Sequence, residues 1–412
     1  MVRGLDKNSD GNEKFPKEWE IKRLGDLGVF SKGKGILKEQ VSTNGLPCVR
    51  YGEIYTTHDF VIKEFKSYIN ENIAAESKKI KKGDILFAGS GETIEEIGKA
   101  VAYLGNKTAY AGGDVIILST IKSLNVEYLS YSLETNFVKR QKRVLGQGNS
   151  VVHIYPSDLA KLKVPLPPLP EQKAIAKVLS TWDEAISKTQ ELITQKELRK
   201  KWLMQQLLTG KKRLKGFKGE WKIVQIKEIA QEESIRNKAN KQLTVLSCTK
   251  YDGLVPSLEY FGRKIYSDDI STYKIVKKNR FAYATNHIEE GSVGYQNAYS
   301  EALISPMYTV FCTFGNVNDD FLYMLLKSEP MIYQFKNKME GSIDRRGGLR
   351  WESFSSIKVK IPKIAEQTAI ANILNKADSE IAKLKTKLES LKEQKKGLMQ
   401  VLLGGKKRIK KL

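Results

Sequence analysis

Cysteine and histidine, the residues that most often build metal centres, are nearly missing from this chain: 412 residues hold three of each. Cys48, Cys248 and Cys312 lie far apart with no CxxC spacing, which excludes a disulfide framework and a cysteine-rich zinc site and suits a reducing compartment. His58, His153 and His287 supply no HExxH pair and no second histidine at helical spacing, so no metal ligand is named. No apolar run approaches the ~20 residues that span a bilayer, and the opening MVRGLDKNSDGNEKFPKEW lacks the apolar core of a signal peptide. A cytoplasmic protein with no membrane partner is expected. GVFSKGKG (28–35) spaces Gly28, Gly33 and Lys34 as a phosphate-binding loop would, but puts glycine where Ser or Thr should hold magnesium. A flexible basic loop is expected there, and another loop at GSGETIEEIG (89–98). There is no GxSxG elbow, no Asp/Asn-Pro-Pro-aromatic stretch for amino methylation and no convincing nuclease cluster. No catalytic residue emerges, so the chain reads as a binder of something.

Acidic residues are also scarce, and that shortage says what is bound. Seventy Lys and Arg face 47 Asp and Glu, a formal charge of +23. Such an excess calls for an extended polyanion, nucleic acid before an acidic membrane surface.

What the chain does have is a repeat. EQKAIAKVL (171–179) returns as EQTAIANIL (366–374), and LMQQLLTGKKRLK (203–215) as LMQVLLGGKKRIK (398–410). The register between holds without a gap, pairing Gln172 with Gln367, Asp183 with Asp378 and Ile186 with Ile381. Both copies carry apolar residues at alternating steps of three and four. The first has Ile175, Leu179, Trp182, Ile186, Ile193, Leu203 and Leu207, broken by Thr189, Lys196 and Lys200. The second has Ile370, Leu374, Ile381, Leu384, Leu388, Leu391, Leu398 and Leu402, broken by Lys395. A sustained period of about 3.5 residues predicts a coiled-coil seam. Each helix should start with Glu in its first turn after a proline-bearing stretch and stop at Gly210 or Gly404–Gly405, followed by basic KKR.

The segments between the helices open alike, FPKEW (15–19) and FKGEW (217–221), and close alike, KVPLP (163–167) and KVKIP (358–362). Short β-branched and aromatic runs such as GGDVIILST and MYTVFCTFG alternate with helical patterns such as NVEYLSYSLETNFVKRQ. The predicted fold is α+β: two similar globular domains separated by two long helices that form an antiparallel coiled coil, with pseudo-twofold symmetry. Leu412 stands where Phe217 stands in the first half, which predicts neighbouring termini.

Base edges are read by Arg, Lys, Asn and Gln, while Lys, Arg and hydroxyls hold phosphates. Basic residues interleaved with aromatics in loops nominate Lys32, Lys34, Arg50, Tyr51, Asn149 and His153 in the first domain. In the second they nominate Lys250, Tyr251, Asn286, His287, Arg345, Arg346, Arg350 and Trp351.

The paired EQ-x-A-I-A openings at Pro170–Ala176 and Ala365–Ala371, the LMQ…LL…G-KKR endings and the LP and IP exits together frame residues 15–412. This arrangement resembles the specificity subunit (HsdS) family of type I restriction–modification systems. The resemblance implies target-recognition domains at 1–168 and 213–363, and conserved helical regions at 169–212 and 364–412. Each domain would read one half of a bipartite, asymmetric site in double-stranded DNA. The helices would set the spacing and dock two adenine methyltransferase subunits, and through them restriction subunits. The chain itself would hold no cofactor; S-adenosylmethionine, ATP and Mg would belong to the partners. The second copy has KIAEQ for PLPEQ, a departure that leaves Glu366 and Gln367 in place. Rival readings are a stand-alone DNA-binding scaffold or regulator, and a self-sufficient restriction or methylation enzyme. A ruler role also implies that four residues inserted in each helix, near Lys196 and Leu391, would add ~6 Å and about two base pairs.

Overall fold

The computed structural model describes residues 14–148, 151–339 and 348–409. The chain forms two compact units, Met1–Thr189 with Lys387–Leu412, and Gln190–Thr386. Each unit therefore holds one globular domain and a portion of each long helix.

In the first unit the entry strand Glu20–Arg23 pairs antiparallel with the exit strand Lys163–Leu166, bringing both ends of the domain side by side. That pairing is what the matched FPKEW and KVPLP stretches encode. A five-stranded sheet follows the spatial order Gly28–Lys32, Val115–Thr120, Asp84–Ala88, Ala100–Tyr103, Val61–Ile62. Asp84–Ala88 and Ala100–Tyr103 are buried at every position, as runs covered on both faces are. A four-stranded sheet runs Ser67–Ile69, Leu46–Val49, Ala109–Ala111, Lys78–Ile80. Helix Val126–Ser132 is capped by the Asn125 side chain, which accepts from the Tyr128 N–H at 2.7 Å. The core gathers Trp19, Phe87, Tyr128 and Leu129 around Ile175 and Leu179 of one long helix and Leu402 and Leu403 at the end of the other.

GVFSKGKG departs from its expectation, since its first five residues form the outer strand Gly28–Lys32 and not a flexible loop. Two of its three glycines answer to close backbone approach. A Cβ at Gly28 would lie 2.3 Å from the Ser119 carbonyl oxygen, and one at Gly33 only 1.9 Å from that of Gly112.

The second unit repeats the frame. Lys222–Gln225 pairs antiparallel with Lys358–Ile361. Two four-stranded sheets follow, one in the order Ala230–Glu232, Tyr308–Thr313, Arg280–Ala284, Val293–Gln296. The other runs Gly253–Pro256, Val245–Thr249, Glu301–Ile304, Lys274–Lys277. Helix Asp319–Leu326 is capped by Asn318, as its counterpart is by Asn125. The core here is more aromatic, with Phe281 and Phe311 stacked at 4.8 Å and Phe354 and Tyr283 packed around them.

The long helices span Leu169–Leu207 and Ile364–Leu402, 39 residues each. Seam residues Ile175, Leu179, Ile193, Leu207, Ile370, Leu374, Ile381, Leu388 and Leu402 are buried; Trp182, Ile186, Leu203, Leu384, Leu391 and Leu398 are half-buried. Within each unit the two helix segments run antiparallel. Lys196 pairs with Glu380 at 2.5 Å, Lys200 with Asp378, and Glu197 with Lys385 at 2.7 Å in the second unit; Asp183 pairs with Lys395 in the first. Both helices stop at a glycine in the left-handed region, Gly210 with φ +70° and Gly405 with φ +67°. Matched bonds from Lys212 N–H to the Gln206 carbonyl (3.1 Å) and from Lys407 N–H to that of Val401 (3.0 Å) close the last turns. Among the described residues no helix is long and apolar enough to cross a membrane.

Candidate nucleic-acid interface

Four of the nominated residues of the first domain converge on one turn. Beyond the outer strand, Gly33 N–H donates to the Val115 carbonyl (2.7 Å) and Lys34 N–H to that of Ala111 (3.1 Å). These bonds hold the segment carrying Lys32 and Lys34 against the turn Gly112–Asp114. Gly112 N–H donates to the Val49 carbonyl at 2.9 Å, tying the turn to the strand that ends in Arg50. Lys32 and Lys34 are exposed, Tyr51 is 41% exposed, and Lys32 Nζ stands 4.0 Å from Asp114. His153 joins through a second strand end: Ile154 N–H donates to the Gly89 carbonyl (3.0 Å), and Gly89 N–H to that of Asp114 (2.9 Å). The imidazole Nδ1 of His153 meets Ser90 Oγ at 3.0 Å. Asn149 lies outside the described residues.

The second domain builds the same corner from different residues. Thr285 Oγ1 donates to the Met307 carbonyl at 3.1 Å and the Thr285 carbonyl accepts from Leu349 N–H at 2.9 Å. Asn286 is half-buried beside them, and Arg350 is exposed at the start of helix Trp351–Ser355. Lys250 and Tyr251 occupy the tip of the hairpin between Val245–Thr249 and Gly253–Pro256, with Tyr251 78% exposed and the Lys250 ammonium 5.4 Å from its ring centre. Lys327 Nζ donates to the carbonyls of Lys250 (2.6 Å) and Gly291 (2.9 Å), linking the hairpin to the turn that follows His287. Burial holds that ammonium below the usual lysine range. His287, Glu289 and Glu290 bring one ligand atom each within 4.8 Å, an open set on an exposed turn. Arg345 and Arg346 lie outside the described residues. Trp351 is corrected: half-buried, it packs 5.6 Å from Phe311 and 5.7 Å from Phe354, so its ring supports the core and is not free to meet a base.

The repeat motifs have a structural role that periodicity does not reveal. In the first unit the Glu171 carboxylate accepts both Nε and Nη2 of Arg408, at 2.6 and 2.7 Å, and Trp19 Nε1 donates to it at 3.3 Å. In the second unit Glu366 accepts the same fork from Arg213, at 2.6 Å on each side. Each guanidinium also lies over a tryptophan ring, Trp19 for Arg408 (5.9 Å) and Trp221 for Arg213 (5.7 Å). The neighbouring glutamines are matched too: Gln172 accepts from Asn125 N–H (3.0 Å) and donates to the Pro167 carbonyl (2.8 Å), while Gln367 does so with Asn318 (2.8 Å) and Pro362 (2.9 Å). The Glu of each EQ thus clamps the Arg of the other copy's KKR, and the Gln fixes its helix to the domain. That both motifs recur in both copies was the available signal for the pairing.

The model of the type I restriction modification DNA specificity domain matches residues 16–197 and again 218–393. Over 97% of its length the chain is 26% identical to the type I restriction enzyme MjaVIII specificity subunit of Methanocaldococcus jannaschii, covering 95% of that protein. It is 27% identical to the putative type I restriction enzyme MjaX specificity subunit of the same organism, over 96% of this chain and 95% of the other. Among solved structures, the S subunit of a type I restriction–modification system from M. genitalium superposes with a TM-score of 0.59 at 16% identity, covering 98% of this chain and 99% of that one. At that identity the likeness is one of fold.

Proposed function

The chain belongs to the type I restriction modification DNA specificity family, and from that premise we propose how its parts divide the work of a specificity subunit. Each unit reads one half of a bipartite site in double-stranded DNA through its corner of strand ends. The repeated helices set the number of base pairs between the halves and present alike docking surfaces to two methyltransferase subunits, through which restriction subunits join. The chain contributes recognition and no chemistry; S-adenosylmethionine, ATP and Mg act on the partners. One observation carries this reading. The two units share their frame down to the Glu–Arg clamps, yet Lys32, Lys34, Arg50 and a glycine turn in one stand where Glu232, Ser234, Ser247 and Ser305–Pro306 stand in the other. Alike frames with unlike corners suit one assembly and two different half-sites.

Mapping methylated adenine across the source genome, with this gene intact and deleted, tests the reading. The expected result is loss of a single split motif with a fixed gap. Retention of every motif, with no methyltransferase subunit co-purifying, would leave the scaffold reading in its place.

The helix register revises how the spacing is tested. Lys196 lies opposite Glu380, so an insertion near Leu391 would not face one near Lys196 and the seam between would slip by a turn. Insertions after Thr189 and Glu389 face each other, because Asp183 pairs with Lys395 in the same unit. Seven residues in each preserve the seam's period and add about 10 Å. The gap in the methylated motif should then grow by roughly three base pairs at 3.4 Å per step; an unchanged gap sinks the spacing role.

A further inference from the structure

Arg50 is held in a manner that its neighbours do not explain. It ends strand Leu46–Val49 and starts helix Tyr51–Thr56, where its N–H donates to the Glu53 carboxylate (2.9 Å) and its carbonyl accepts from Glu53 N–H (3.0 Å). The second Glu53 oxygen accepts from Ser67 Oγ. The backbone is fixed, and the adjacent carboxylate is already engaged elsewhere. The side chain then runs beside the glycine turn, with its Cγ 3.6 Å from where a Cβ of Gly112 would sit. Its Nε is sealed from solvent with no hydrogen-bond partner, and among the described residues the guanidinium makes no hydrogen bond or ion pair. A charged, half-buried group with no hydrogen-bond or ion-pair partner is costly, and because Nε is sealed from solvent a ligand can meet this charge only at the two terminal nitrogens. The two terminal nitrogens form an end-on fork, which matches a pair of acceptors in one plane.

Two parts of DNA offer such a pair: the O6/N7 edge of guanine in the major groove, and two oxygens of a phosphate. The surroundings favour the base. Lys32 and Lys34 are exposed point charges of the kind that hold phosphates, whereas Arg50 has a stem fixed by the cap and the turn. Gly112 is buried beside the Arg50 stem and Gly113 is half-buried, and neither places a side chain across the fork. We propose that Arg50 reads a guanine in the half-site recognised by the first unit. The inference rests on the reading of that unit as a DNA reader and adds the base. It does not extend to the second unit. There the parallel pairing of Leu246 with Ile304 matches that of Val49 with Ala111, so Ser247 follows where Arg50 does, and Ser305–Pro306 replace Gly112–Gly113.

The test uses the assembled methyltransferase complex and duplexes carrying the split motif found by methylation mapping. Each guanine of the first half-site is replaced in turn by 7-deazaguanine, which lacks the N7 acceptor. One position should weaken binding roughly ten- to a hundredfold. Arg50→Ala and Arg50→Lys should weaken binding to the natural site comparably and lose all sensitivity to 7-deazaguanine at that position, while the other half-site responds as before. A half-site without guanine, or 7-deazaguanine effects that persist unchanged in Arg50→Ala, would overturn the proposal. Sensitivity that moves instead to a methylphosphonate at one phosphate would also overturn it and make Arg50 a backbone contact. Failure of the underlying reading looks different: both half-sites would then survive every substitution in the first unit's corner.

Discussion

Replacing Asp183 by alanine should destabilise the first unit by about 3–5 kcal/mol, because it leaves a buried ammonium without its counter-charge. Lys395 is the residue that interrupts the seam of the second helix, and its side chain is only 7% exposed, against 16% for Asp183. Its ammonium lies 3.9 Å from the centre of the Phe60 ring and 5.1 Å from that of Tyr131, whose hydroxyl also donates to Asp183 at 2.6 Å. Burial pulls the lysine below its usual range and the nearby carboxylate opposes that shift, so the charged form depends on Asp183. The second unit supplies an internal control. Lys200 and Asp378 occupy the equivalent positions but are 27% and 48% exposed, and Asp378→Ala should cost no more than about 1 kcal/mol, as exposed pairs do. Hydrogen exchange resolved by peptide, with urea titration of each variant, measures the two losses separately. Comparable losses in both units would show that burial does not distinguish the pairs. Lys395→Met combined with Asp183→Asn removes both charges while keeping an acceptor for Tyr131, and should recover most of the lost stability.

That asymmetry marks the boundary of what the sequence conveys. The repeat, the seam and the matched openings and exits of the domains are local patterns, and the antiparallel strand pairs Glu20–Arg23 with Lys163–Leu166 and Lys222–Gln225 with Lys358–Ile361 are their direct expression. Lys395 looks from sequence like a defect in an apolar stripe, because periodicity registers polarity but not a partner more than two hundred positions away. GVFSKGKG looks like a loop because its glycines are counted as flexible, when Gly28 and Gly33 are required by backbones passing within contact distance. Trp351 looks like a base-stacking ring because it stands beside arginines, and only packing places it against Phe311 and Phe354. The corners proposed to read DNA are the least legible part. Lys32, Lys34 and Arg50 come together through the Gly112 turn, far from each in sequence, and nothing in their spacing encodes that meeting. The clamps lay between these extremes, since both partners were visible as repeats but their exchange between copies was not.

Glu171→Ala should release the chain end that follows the second long helix, and limited trypsin digestion should cut at Lys406, Lys407 or Arg408 roughly ten- to a hundredfold faster than in the parent. The Glu171 carboxylate is 7% exposed and receives three donors, two from Arg408 and one from Trp19. Arg408 also reaches Glu18 at 2.9 Å, and the turn before it seats Gly405 against Pro16, so this segment closes the first domain's entry onto the helix end. Without Glu171, the fork keeps only its exposed contact to Glu18, and the tryptophan N–H loses its acceptor within the core. Bidentate geometry makes the substitution sharper than removal of a lysine pair would be, since both parallel bonds vanish together. Glu366→Ala should have the matched effect at Lys211, Lys212 and Arg213 and leave the chain end protected, because Arg213 bonds Glu366 and the Gly219 carbonyl within the second unit. Each variant thereby serves as the other's control. Cleavage that rises at both segments in either variant would mean global unfolding and would sink the local clamp; unchanged cleavage at the matched segment would show that packing of Leu402 and Leu403, or of Leu207 and Leu208, holds the helix ends without it. Arg408→Lys should behave like Glu171→Ala, because an ammonium cannot span both carboxylate oxygens from the fixed position over Trp19.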